Sequence, residues 1–143
     1  MNTAEVDRLN VKELENETVV HLPSGLLGFE HIKKYVLVSE PGESPFKWLQ
    51  VQGDSALAFL VISAFEAVPE YTPEIPDEDV RSLGLEDPQD ALVFNIVTLR
   101  KGGRSTLNLK GPIVINRLSM IGKQVVLSNA AEYSVQHPLP SVE

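Results

Sequence analysis

The chain of 143 residues contains no cysteine. That rules out a disulfide frame, a thiolate zinc site and a cysteine nucleophile, and it fits a reducing compartment. Long apolar runs are missing too: nothing approaches the roughly 20 residues a helix needs to cross a bilayer. The opening MNTAEVDRLNVKELENE is polar and mixed in charge, without an apolar run of signal-peptide length. The three histidines (His21, His31 and His137) are scattered, and none has an Asp, Glu or His partner at metal-ligand spacing. There is no G-x-S-x-G elbow, no G-x-x-x-x-G-K-[ST] phosphate loop and no G-x-G-x-x-G fingerprint. Nine aromatic residues in all leave few to line a ligand pocket once a core is built. The expectation is a protein that is not an enzyme, with no cofactor and no metal.

Acid is absent as well from Ala91 to Ala131, where Arg100, Lys101, Arg104, Lys110, Arg117 and Lys123 give a local charge of +6. The segment before it is the reverse. Glu66, Glu70, Glu74, Asp77, Glu78, Asp79, Glu86, Asp87 and Asp90 stand against Arg81 alone, a local net of −8 that equals the formal charge of the whole chain. Charge clusters steer encounter and discriminate partners more than they stabilise folds. A pI of 4.9 argues against a general nucleic-acid binder, which needs a basic face to release counterions. The hydrophobic fraction of 43% with 22% charged residues is ordinary for a soluble globular protein. No internal repeat breaks the chain, so one domain over residues 1–143 is expected, with about 1–15 and 138–143 loosely ordered.

Most segments read as strands. Thr18–Leu22, Lys34–Val38, Phe46–Val51, Leu57–Ser63, Ala91–Leu99, Thr106–Leu109, Pro112–Asn116 and Gln124–Leu127 are rich in β-branched or aromatic residues and are separated by Gly or Pro turns. Leu57–Ser63 (LAFLVIS) and Ala91–Leu99 (ALVFNIVTL) are continuously apolar, the pattern of strands covered on both faces. Trp48 beside Phe46 reads as a core anchor. The Gly102-Gly103 pair reads as a hairpin turn. The fold class is mainly β: a small antiparallel barrel or barrel-like sandwich with one or two short helices. Asp77–Leu83 is the main helix, with acids at its positive end and Gly84 as its stop. Asp87-Pro88 marks a second N-cap with room for one turn. Asn95, Asn108 and Asn116 punctuate the last strands, and each needs hydrogen-bond partners if buried.

Several stretches, in order, resemble one family: PSGLLGFEHIKKYVLV (Pro23–Val38), SPFKWLQ (Ser44–Gln50), LAFLV (Leu57–Val61), IPDEDVRSLGLEDPQDALVFNIVT (Ile75–Thr98), TLNLKGPIVIN (Thr106–Asn116), GKQVVL (Gly122–Leu127) and YSVQHPL (Tyr133–Leu139). Together they are similar to the flagellar assembly factor FliW. Leu26-Leu27 departs from a common Ile-Pro, and Gly111 from the usual Ala before Pro112. The resemblance implies a non-enzymatic cytoplasmic protein of β-barrel type, a monomer when free, with neither nucleic acid nor membrane as a direct partner. Members bind the translational repressor CsrA, relieving its block on flagellin messenger RNA, and are themselves sequestered by flagellin.

On charge grounds the CsrA contact is expected at Glu66, Glu70, Glu74, Asp77, Glu78, Asp79, Glu86 and Asp87, because an RNA-gripping repressor must offer basic residues. Flagellin's amphipathic ends need apolar cover, and they are expected on a groove including Phe94, Asn95, Ile96, Leu107, Asn108, Leu109 and Ile113. Core burial is the competing reading of those apolar positions. The alternative function is a β-barrel that binds a small molecule or RNA.

Overall fold

The structure, a computed structural model, describes residues 17–39, 45–99, 102 and 104–139, the side chains of 55 and 56 excepted. Among these residues the strands are β1 (Glu17–His21), β2 (Lys34–Ser39), β3 (Phe46–Val51), β4 (Asp54–Ser63), β5 (Ala91–Thr98), β6 (Thr106–Leu107), β7 (Ile113–Asn116), β8 (Ile121–Gln124) and β9 (His137–Pro138). Two short helices, α1 (Ala64–Ala67) and α2 (Asp77–Ser82), and 3-10 turns at Pro88–Asp90 and Ala130–Glu132 fill the connections.

Strands β1 to β4 form an antiparallel meander. Strand β4 pairs with β5, and β5, β7 and β8 continue antiparallel. The ring closes where β8 meets β1 through one parallel register point, His21 opposite Ile121. Seven strands therefore make a barrel, antiparallel as expected except at this seam. Beyond it, β6 pairs with the end of β5, and β9 pairs with β6.

Side-chain alternation sorts the apolar residues into two cores. Val20, Leu22, Tyr35, Leu37, Leu49, Val61, Phe94, Ile113 and Ile115 fill the barrel. Ile62, Val93, Val97 and Val114, one residue out of phase, join Ala64, Ala67, Tyr71, Leu83, Leu107, Leu109, Val125 and Leu127 outside it. The continuous apolar runs of β4 and β5 follow from this: one set of side chains points inward, the other packs under the helices and the tail. Strand β1 shows the opposite case, with its outer positions exposed or half-buried.

Gly122 is the narrow point of the barrel. A Cβ there would lie 2.7 Å from Ile115 Cγ1, 2.9 Å from the Val114 carbonyl oxygen and 3.1 Å from Leu22 Cδ2, so β8 can lie against β7 only without a side chain at this position.

Several expectations need correction. The last barrel strand is Ile121–Gln124 rather than Gln124–Leu127, since Gly122 and Lys123 break the apolar pattern that a strand reading follows. Helix α1 and strand β9 were not expected. Residues 138 and 139 are not loose: Pro138 opposes Thr106, and the Leu139 amide donates to the Ser105 carbonyl at 2.9 Å. The remaining ends of that expectation, 1–15 and 140–143, lie outside the described residues. Trp48 is half-buried rather than a core anchor. Of the Gly102-Gly103 pair read as a hairpin turn, Gly102 has φ of +73° between the paired Thr98 and Thr106, and Gly103 lies outside the described residues.

Gly122→Ala should lower stability by about 1–3 kcal/mol, the usual cost of overpacking, measured by urea unfolding. Val126→Ala, at a position 75% exposed, should stay within about 0.5 kcal/mol of the parent.

Candidate functional site

The acidic segment begins where β4 stops. In α1, Ala64 and Ala67 turn into the outer core while Phe65 and Glu66 face out. The next stretch, with Pro73 and Pro76, is extended and has no strand partner. Its backbone is tied instead to the C-terminal region. Asn129 Oδ1 accepts from the Glu74 amide at 3.0 Å, and Asn129 Nδ2 donates to the Thr72 carbonyl at 2.9 Å. The Ser128 amide donates to the Glu74 carbonyl at 2.8 Å, and the Tyr133 hydroxyl accepts from the Thr72 amide at 3.1 Å.

Helix α2 follows Pro76, with Asp77, Glu78 and Asp79 in a first turn whose free N–H groups favour negative charge. Its N-cap is Pro76, and no side chain among the described residues caps it. Gly84, at φ of +66°, ends it as the sequence suggests. Asn116 of β7 anchors this end, donating from Nδ2 to the Leu83 carbonyl at 2.9 Å. Asp87 does cap the next turn, accepting from the Gln89 amide at 2.9 Å.

Two of the nine carboxylates are neutralised within the fold. Asp79 is buried and bound by Lys123 Nζ from β8, and Asp90 meets Arg117 at 2.9 Å. Asp79 is thereby removed from the expected CsrA set, because its charge is spent on holding α2 to the barrel. The other members, Glu66, Glu70, Glu74, Asp77, Glu78, Glu86 and Asp87, are exposed and have no ion pair among the described residues. Beside them runs a groove of about 530 Å³, with Tyr71, Ile75, Val80, Leu85 and Val93 among its lining, Phe65 on one wall, and Glu86 and Asp87 at its lip.

The residues expected to meet flagellin sit differently. Phe94, Asn95, Leu107, Leu109 and Ile113 are buried, and Ile96 is half-buried against the barrel core. Their apolar character serves packing. Asn108 alone reaches a second groove, of about 460 Å³, together with Lys110, Gly111, Gln124, Glu30, Leu27, Val126 and Val135. Leu27 is 82% exposed and Val135 53%. These two and Val126 are the apolar residues that sequence reasoning missed. The available signal was Val125-Val126-Leu127: in extended chain the middle residue faces away from its buried neighbours. Glu30, on this rim, is held below the usual carboxylate range chiefly by the Gly28 N–H, which donates to it at 3.1 Å.

Asparagines shape the wall between the grooves. Asn95, fully buried, donates from Nδ2 to the Asn108 carbonyl at 2.9 Å, while its Oδ1 has no partner among the described residues. Asn108 Oδ1 accepts from the amides of Lys110 and Gly111 at 3.1 and 2.9 Å, fixing that turn. Gln124 clamps the second groove, accepting from the Leu27 amide at 2.8 Å and donating to the Gly111 carbonyl at 3.1 Å. Tyr71 lines the first groove with its ring and donates its hydroxyl to the Leu109 carbonyl at 2.6 Å. Burial pushes its phenol up to about 12, with Asn95 opposing the rise and Tyr133 adding to it. No cluster of His, Asp or Glu among the described residues could hold a metal ion, and no helix there is long and apolar enough to cross a membrane.

Two predictions follow from these fastenings. Lys123→Ala should cost about 2 kcal/mol, the scale of a hydrogen bond to a charged group, and the Lys123→Met/Asp79→Asn pair should recover part of it in urea unfolding. Tyr71 stays protonated in the folded chain at pH values where an unfolded tyrosine, near 10, has ionised. Its contribution is therefore complete below pH 10 and is lost as pH rises towards 12. Tyr71→Phe should remove that part of the alkaline loss of stability, and the latest-titrating tyrosine in an absorbance titration.

The sequence matches the family model described as FliW protein over residues 3–139. The flagellar assembly factor FliW of Leptospira biflexa is 40% identical over 116 residues, covering 80% of this chain and 76% of that protein. The protein of the same name from Moorella thermoacetica is 35% identical over 134 residues, covering 92% and 84%. A crystal structure of the flagellar assembly factor FliW superposes with a TM-score of 0.76 at 32% identity, covering 90% of this chain and 88% of that one. The strands, the segment lying over them and nearly the whole sequence are thus shared with proteins of one kind, and the chain belongs to the FliW family of flagellar assembly factors.

Proposed function

We propose that this chain is a non-enzymatic cytoplasmic binding protein that ties flagellin synthesis to flagellum assembly by exchanging partners. It binds the repressor CsrA, frees flagellin messenger RNA from repression, and gives CsrA up when flagellin occupies it. Family membership supports the general role. The observation that carries the CsrA part is the row of seven exposed carboxylates without ion pairs among the described residues. Such a row is costly to gather by self-repulsion and useful for drawing in a basic protein.

Flagellin is assigned to the second groove. Leu27, Val126 and Val135 offer the apolar cover that an amphipathic helix needs, with Lys110 on the rim. This keeps the expected neighbourhood of Asn108 and replaces its buried apolar residues with exposed ones.

Calorimetry with purified CsrA tests the reading. Binding should weaken as salt rises from 0.05 to 0.5 M, because the Debye length shortens to a few ångströms, and added flagellin should reverse it. Exchange of Glu74, Asp77 and Glu78 for lysine should weaken CsrA at least tenfold and spare flagellin, while Val126→Asp should do the opposite. Unchanged CsrA affinity in the triple variant would move that site elsewhere, and an absence of binding to either protein would end the proposal.

A further inference from the structure

The groove between α1 and α2 is more than a charged surface. Its floor is apolar, built by Tyr71, Ile75, Val80, Leu85 and Val93, and Phe65 stands on its wall 48% exposed. Neither helix covers that ring, although α1 turns both of its alanines into the core. Among the described residues its ring neighbour is Tyr71, with centroids 6.3 Å apart. An exposed aromatic over an open apolar floor keeps a hydrophobic cost that an inserted side chain would remove. The lip is Glu86 and Asp87, both exposed and without ion pairs among the described residues.

We propose that this groove receives one large apolar side chain from a partner protein, carried on a short segment with Lys or Arg on either side of it. The apolar floor selects the anchor, and the acidic lip selects the flanking cations. Other occupants fit poorly. An anionic ligand or a nucleic acid would meet carboxylates at the entrance. A second copy brings a net charge of −8, and two of its bases, Arg117 and Lys123, are already paired with Asp90 and Asp79. The chain's own first sixteen residues carry four acids and two bases, the wrong balance for this lip. The inference rests on the partner reading only for its identification of CsrA as the owner of the segment.

The test uses the full chain, isotope-labelled, and two synthetic ten-residue peptides of alternating lysine and serine. One carries a central phenylalanine, and serine replaces it in the other. In backbone-amide NMR at 0.05 M salt, the phenylalanine peptide should shift residues of the groove, among them Phe65, Leu85 and Val93, and saturate. Phe65→Ala and Glu86→Lys should each weaken it at least fivefold. High salt should erase most of the Glu86→Lys effect but leave that of Phe65→Ala. Unfolding curves would verify that both variants are folded.

Equal shifts with both peptides would overturn the proposal, as would shifts centred on Leu27 and Val126. Concentration-dependent sedimentation of the free chain, abolished by Phe65→Ala, would overturn it in favour of self-association. The same variants titrated with CsrA separate the two claims. Groove occupancy by the peptide with no CsrA binding to the parent chain supports the groove and sinks the partner reading. CsrA binding that ignores both variants, with no peptide in the groove, sinks the groove alone.

Discussion

Strand β5 leaves no face for water, and the rest of the structure answers that constraint. Its one edge pairs with β4, and its other edge pairs first with β7 and then with β6. Phe94 and Ile96 point into the barrel, whereas Val93 and Val97 point out of it. A barrel alone would bury only the inner set and leave the outer one wet, at roughly 25 cal/mol per Å² of apolar surface. The segment from α1 to the Pro88–Asp90 turn, together with the C-terminal tail, supplies the outer cover. The acidic stretch therefore lies where it does because its apolar members, Ala64, Ala67, Tyr71 and Leu83, are needed against β5 and its neighbours.

A cover made of irregular chain cannot satisfy its own backbone, so side chains from elsewhere fasten it. Asn129 and Tyr133 hold the stretch at Thr72 and Glu74, Asn116 holds the end of α2, and Lys123 holds its first turn through Asp79. Each joins sequence positions more than thirty residues apart. The polar residues that punctuate the late strands are thus mostly fasteners. Asn95 is the exception in one respect: its Oδ1 has no hydrogen-bond partner among the described residues.

The barrel was legible because its signals are local. Strand-forming residues between Gly or Pro turns, continuous apolar runs in β4 and β5, and glycines at Gly84 and Gly102 each involve a few neighbouring residues. What was not legible depends on distant contacts. β8 hides behind Gly122, whose presence reflects the closeness of Ile115 and Leu22. The two-residue β9 exists only because β6 offers it an edge. The site divided in the same way. Exposure of seven acids could be read from their number, since so many carboxylates cannot all be buried, but the loss of Asp79 to Lys123 could not. Most of the apolar candidates are buried, and a buried side chain and a binding-surface one look alike in sequence. Leu109 lies inside and Val126 outside, although neither belongs to a strand.

Charge counted along a chain also differs from charge shown to a partner. The sequence sets an acidic block beside a basic one, as though two opposite surfaces were displayed. Folding brings part of the second against the first, and Arg117 and Lys123 are consumed in holding Asp90 and Asp79. Among the described basic residues of that block, Arg104 and Lys110 remain exposed without ion pairs. Among the described residues the acidic side keeps seven exposed carboxylates without ion pairs. The two grooves inherit this asymmetry: one has an acidic lip, while the other carries Glu30 and Lys110 together with exposed aliphatic side chains. Tyr71 stands between them, its ring lining the acidic groove and its hydroxyl on the carbonyl of Leu109, next to the turn that forms the other.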